Sequence, residues 1–170
     1  MNSIFIVSFS GKATPAIIRQ LASITHEQGG KWLVSKVNFI ENQVAAVIKV
    51  ELPQENEELV KNAFCSNKDL LVKFSESKNH DHNIETTYKL RLDSTDRPGI
   101  VNEISHTLDQ QGINILDMDC QRVFIADGGG ISSSLFTSTM AIRIPKNIII
   151  DDVVKDLEAL SVEIRVIVES

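Results

Sequence analysis

The feature that most constrains this chain is an internal repeat, in which one half maps onto the other at an offset of 83 residues. Pro15 falls on Pro98, Ile17 on Ile100, Ile18 on Val101, Leu21 on Ile104 and Gly29 on Gly112, while Phe5, Val7 and Phe9 fall on Tyr88, Leu90 and Leu92. Self-similarity of this kind marks a tandem duplication, so each half must fold as one copy of the same unit. At 170 residues the chain has room for two compact domains of about 80 residues each.

The periodicity within each copy supplies its elements. Alternating apolar residues half-bury a strand, and apolar residues three and four apart line one face of a helix. In the first copy these patterns predict a strand near 3–9, a helix near 14–28, strands near 32–40 and 43–52, a helix near 55–65 and a strand near 69–75. Leu59, Val60, Ala63 and Phe64 share one side of that second helix. The second copy opens with the alternating run Tyr88-Lys89-Leu90-Arg91-Leu92. A helix on Ile100, Val101, Ile104 and Leu108 follows, ended by Gly112, a natural C-terminal cap. A strand from about Ile113 to Ile125 leads through Asp127-Gly128-Gly129-Gly130 to a strand from Leu135 to Ile144, with Phe136, Met140, Ile142 and Ile144 on one face. Ile150, Val153, Val154, Leu157 and Leu160 give a last helix, whose leading Asp151 and Asp152 suit its N-terminal dipole. Val162, Ile164, Val166 and Val168 alternate as a final strand.

The order is βαββαβ in both copies. With right-handed crossovers it gives a four-stranded antiparallel sheet carrying both helices on one face, the ferredoxin-like arrangement of the α+β class. The other face is left bare, with Trp32 or Phe39 in the first copy and Met118 or Cys120 in the second as candidate residues on it, to be covered by the other copy or another chain. The polar run Glu76 to Asn83 separates the copies, which places an N-terminal module at 1–77, a linker at 78–85 and a C-terminal module at 86–170.

Between the first strand and helix of the second copy lies Ser94-Thr95-Asp96-Arg97-Pro98-Gly99-Ile100-Val101. Asp96 suits an N-cap, Pro98 the first helical turn, and Gly99 a close approach by another backbone or a small ligand. The unpaired amides at the helix start make a small anion site. A zwitterionic amino acid needs an acceptor for its ammonium group and donors for its carboxylate. Asp96 can supply the first, and the amides of Gly99 and Ile100 with the Asn114 side chain the second. The same residues have a purely structural alternative, with Asp96 capping its helix, Asn114 satisfying a nearby loop and Arg97 exposed or paired with an acidic group.

Asp96-Arg97-Pro98-Gly99-Ile100-Val101, followed by Gly112-Ile113-Asn114-Ile115, resembles the ACT domain, a small ligand-binding regulatory module. The resemblance implies a ligand site on Asp96, Arg97, Pro98, Gly99, Ile100, Asn114 and Ile115, and side-by-side packing of modules in a homo-oligomer. Two such modules without an attached enzyme are similar to transcriptional repressors of the glycine cleavage system, which implies a small amino acid such as glycine as effector and a LysR-type activator as protein partner. A free-standing allosteric subunit for an enzyme of amino-acid or folate metabolism is the alternative. In the first copy Lys12-Ala13-Thr14-Pro15-Ala16 replaces Thr95-Asp96-Arg97-Pro98-Gly99 and Lys31 replaces Asn114, so that module keeps the scaffold and departs from the ligand motif.

Composition narrows the function further. A formal charge of −6 with scattered basic residues argues against a broad phosphate-tracking surface, and no nucleic-acid readout motif is present, so direct specific DNA binding is not expected. No run of 18 apolar residues or leader-like segment appears, which points to the cytoplasm and away from membranes. Cys65 and Cys120 lack a CxxC partner and read as small residues in a reducing compartment. His80-Asp81-His82 has metal-capable side chains but no further ligand near it in sequence, and reads as solvated linker. His26 and His106 read as surface residues on helices. Gly11-Lys12-Ala13-Thr14 lacks the glycine five positions earlier that a phosphate loop needs, since residue 6 is Ile. No catalytic constellation, metal or cofactor is expected.

Overall fold

A computed structural model describes residues 1–77, 86–126, 128–129 and 132–169. The His80-Asp81-His82 set and the 78–85 linker lie outside the described residues, as do Asp127 and Gly130 of the glycine loop. The chain divides into two units, Met1–His80 and Asp81–Ser170.

The first unit runs β1 (Asn2–Lys12), α1 (Pro15–Glu27), β2 (Lys31–Ile40), β3 (Gln43–Pro53), a short 3₁₀ turn at Gln54–Asn56, α2 (Glu57–Cys65) and β4 (Leu70–Glu76). All its strand pairs are antiparallel and their order is β2-β3-β1-β4. Phe5, Val7 and Phe9 on β1 meet Val44, Ala46, Ile48, Val50 and Leu52 on β3 in one core, which Leu21 of α1 and Val60 and Phe64 of α2 cover. Both helices therefore sit on one sheet face. Leu59, expected on the inner side of α2, is half exposed.

The second unit repeats the plan as β5 (Thr86–Thr95), α3 (Ile100–Gln110), β6 (Asn114–Ala126), β7 (Ser132–Ile144), α4 (Ile150–Glu158) and β8 (Arg165–Glu169), in the order β6-β7-β5-β8. Leu90 and Leu92 pack with Phe136, Met140, Ile142 and Ile144 beneath Ile100, Ile104 and Leu108 of α3 and Val153 and Leu157 of α4. Burying each such side chain contributes about 1.5–3 kcal/mol. The chain is thus α+β, with two ferredoxin-like modules.

Two expectations are corrected. Val162 is not part of the last strand: β8 begins at Arg165, the Ile164 amide donates to the Ser161 carbonyl at 3.1 Å, and Val162 stands 88% exposed on that turn. Trp32, Met118 and Cys120 do not furnish the bare sheet face but pack against the cores on the helix side. Each edge strand carries a β-bulge, between Trp32 and Val34 and between Ile115 and Asp117: the second turns Met118 and Cys120 inward and the first sets Phe39 opposite buried Val44, while Trp32 precedes its bulge and lies opposite buried Val50. One extra residue reverses the alternation beyond it. The residues inside the bulges, Leu33 and Leu116, are themselves 83 apart, so the irregularity was duplicated with the rest. Trp32 also donates through Nε1 to Thr25 Oγ1 at 3.2 Å, and Thr25 donates to the Leu21 carbonyl at 2.8 Å, which pins β2 to α1.

Gly11 has no side chain because β4 crosses it. A Cβ there would lie 2.0 Å from the Asp69 carbonyl oxygen, and its φ of +150° is one that L-residues avoid. Gly112 has φ +68° with nothing within 4 Å of an added Cβ. Gly11→Ala should therefore cost about 2–4 kcal/mol and Gly112→Ala only about 1 kcal/mol. Urea denaturation of the two variants checks this, and equal losses would contradict the crossing at Gly11.

Candidate ligand-binding turn

β5 delivers the Asp96–Ile100 turn to the start of α3, where each charged side chain has a partner within its own unit. Arg122 Nε on β6 donates to both Asp96 carboxylate oxygens at 2.9 and 3.0 Å, and Ser134 Oγ on β7 donates to the same carboxylate at 3.1 Å. The Asp96 amide also donates to the Ser134 carbonyl at 3.1 Å. Arg97 Nη1 donates to Glu103 Oε1 at 2.8 Å, while its Nη2 engages the other oxygen. This forked hydrogen bond holds the Glu103 carboxyl below its ordinary range and raises the Arg97 guanidinium. Thr95 donates to the Glu163 carboxylate in the loop before β8.

These contacts revise the roles read from sequence. Asp96 does not cap α3. The cap position is Gly99, at φ +83° and without a side-chain cap hydrogen bond, because the Asp96 carboxylate is turned to Arg122. Pro98 accordingly lies ahead of the helix, which starts at Ile100. Gly99 is required by its left-handed backbone and not by crowding, since an added Cβ would meet nothing within 4 Å. Arg97 is half buried and its acidic partner is Glu103 in the first turns of α3.

Asn114 is not brought to this turn. It pairs with Arg143, which pairs with Thr87, whereas Asp96 meets β7 at Ser134, beyond the Thr95–Leu135 pair. The strand residues from Thr87 to Thr95 span roughly 27 Å at ~3.4 Å each. Asn114 and Ile115 instead line a depression of about 440 Å³ that runs along α3 with Asn102, Ser105, His106 and Asp109.

Arg122, Ser134, Glu103 and Glu163 were missed from sequence because their contacts with the turn depend on strand register or on side-chain direction. Ser94 was missed too. It shares the core-facing side of β5 with Leu90 and Leu92, is only 4% exposed, and its hydroxyl has no hydrogen-bond partner. By the repeat it stands where the first unit has Gly11. That first unit has a depression of about 490 Å³ at its corresponding turn, lined by Lys12, Thr14, Gln20, Asn42, Asn67 and Asp69. Among the described residues no group of three or more His, Cys, Asp or Glu is placed to hold a metal ion, and no helix is long and apolar enough to cross a membrane.

No protein-family model matches the chain, and no curated protein matches its sequence. Solved structures match its fold. A protein of unknown function from Galdieria sulphuraria has TM-score 0.82 at 18% identity, over 99% of this chain and 98% of that one. A protein provisionally named a glycine cleavage system transcriptional repressor has TM-score 0.65 at 13% identity, over 99% of both chains. At these identities the comparisons establish the two-module fold.

The Arg97–Glu103 fork makes a pH prediction. A carboxyl whose folded pKa is depressed contributes stability above its unfolded pKa and loses it as pH falls through the folded value. A carboxyl titration followed by NMR should place Glu103 below the usual glutamate range and return it there in Arg97→Ala. An unchanged Glu103 titration in that variant would contradict the fork.

Proposed function

We propose that this protein is a non-catalytic, small-molecule-responsive regulator that binds a small amino acid such as glycine at Asp96, Arg97, Pro98, Gly99 and Ile100 of the second module. Asn114 and Ile115 complete the site from a second copy of the chain in a homo-oligomer. The observation that carries the reading is the Ser94 hydroxyl, buried without a partner two residues before Asp96 on the sheet face that α3 covers. A buried unsatisfied polar group calls for a reason, and here it accompanies a helix start with open amides and a turn whose charged side chains are already fixed. Such a turn has its backbone donors ready for a carboxylate and little conformational freedom left to lose. The first module, with Lys12-Ala13-Thr14-Pro15-Ala16 at this point, serves as scaffold.

The finer reading is a cytoplasmic repressor of the glycine cleavage system that acts through a LysR-type activator instead of contacting DNA itself. It is supported by the whole-length fold likeness to the protein provisionally given that name and by the formal charge of −6.

Calorimetric titration should show saturable glycine binding to the parent protein. Asp96→Ala should weaken it by about 1–3 kcal/mol, since removal frees Arg122 and unpins the turn, while Lys12→Ala should leave it unchanged. Purification of the tagged protein from its native host should recover a transcription activator in a glycine-dependent manner. Equal affinities in Asp96→Ala and the parent would remove this turn as the site, and recovery of a metabolic enzyme in place of an activator would favour the free-standing allosteric subunit.

A further inference from the structure

The outer face of the first sheet, opposite its helices, differs in charge from the chain that carries it. The ladders place Lys36, Val47, Ser8 and Lys73 in one row across β2, β3, β1 and β4. The next row contains Val34, Lys49, Ile6 and Ser75, and the row on the other side Asn38, Ala45, Ser10 and Leu71. The acidic residue on this face is Glu51, which pairs with Lys31 at 3.0 Å. The face is thus basic in a protein of formal charge −6. Small residues at its centre leave a trough of about 550 Å³, floored by Ser8, Ser10 and Ala45. Val47 is 51% and Leu71 80% exposed along it.

We propose that this face is a docking surface for an acidic amphipathic helix of a partner protein. Lys49 on β3 and Lys73 on β4 flank β1, two strand spacings apart, roughly 10 Å, and an α-helix with its side chains is about 10–12 Å across. A helix laid in the trough sets its apolar stripe on the small floor and against Val47 and Leu71, with acidic residues on its flanks reaching Lys49 on one side and Lys73 on the other. Exposed apolar side chains interleaved with lysines suit such a helix better than a phosphate backbone, because among the described residues this face offers no arginine fork and no aromatic ring for a base to stack on.

The test uses the full chain and a fluorescein-labelled synthetic 18-residue helix with leucine on one face and glutamate on both flanks, beside a counterpart with lysine in place of glutamate. Fluorescence anisotropy should show saturable binding of the acidic helix alone, weakening as salt is raised. Binding should fall by at least ~10-fold in Lys49→Glu/Lys73→Glu, the loss expected where complementary charges become opposed. Leu71→Asp should fall likewise, while Lys155→Glu on α4 should bind as the parent does. Thermal melts of the exposed-face variants check that each is folded. Equal binding of acidic and basic helices, or parent-like binding by both face variants, would overturn the proposal. So would capture of a duplex oligonucleotide or phosphatidylglycerol vesicles, lost in the same variants, with no acidic-helix binding.

Discussion

The register of β5 against β7 is the constraint on which the second unit rests. Leu90 lies opposite Met140 and Leu92 opposite Ser138, so the core-facing set of one strand meets that of the other. A slip of one residue would turn Leu90, Leu92 and Ser94 away from α3 and bring Arg91 and Asp93 beneath it. The same register brings Ser134 to Asp96 and Thr137 to Asp93, where the threonine hydroxyl donates to the carboxylate at 2.6 Å. Packing sets the ladder, and the ladder delivers the polar contacts of the turn.

The core and the turn then divide the work by magnitude. Among the described residues, thirteen buried side chains form the core of this unit, each contributing on the order of 2 kcal/mol. The Asp96–Arg122 pair, with Arg122 half exposed, contributes about 1 kcal/mol or less. That pair does little for global stability, but it does select one shape for a short loop that precedes a helix. The first unit keeps the backbone contact of this junction, its Ala13 amide donating to the Asn42 carbonyl at 3.1 Å as the Asp96 amide does to Ser134, but among the described residues it has no side-chain pair there, and Gly11 admits the Asp69 carbonyl instead. Two copies of one fold can therefore diverge at a turn without disturbing either core.

The fold was legible in sequence because it rests on periodicity. Phe5, Val7 and Phe9, or Ile100, Ile104 and Leu108, announce their buried faces by spacing alone. The bulges at Leu33 and Leu116 were not legible, since one extra residue in a strand leaves composition untouched while reversing which side chains face inward. Val162 misled for a related reason: it extends the alternation of β8 back into the turn that precedes the strand. At the turn, Gly99 was identified as necessary, though for crowding instead of its left-handed backbone. Asp96 was expected to cap α3 because capping is a local rule, and Arg122, 26 residues away, lay outside it. The pairing of Asp96 with Asn114 failed on distance, which neighbouring motif residues do not reveal until the sheet register is known.

The central claim is that the second module's turn, held by its own side-chain pairs, receives a small amino acid while the first module's does not. Titration of isotopically labelled protein with glycine, followed by amide NMR, tests it most directly. The account predicts saturable shifts at Gly99, Ile100 and Asn114, with Ala13, Thr14 and Ala16 unmoved. Shifts confined to the first module, or none in either turn at saturating glycine, would contradict it.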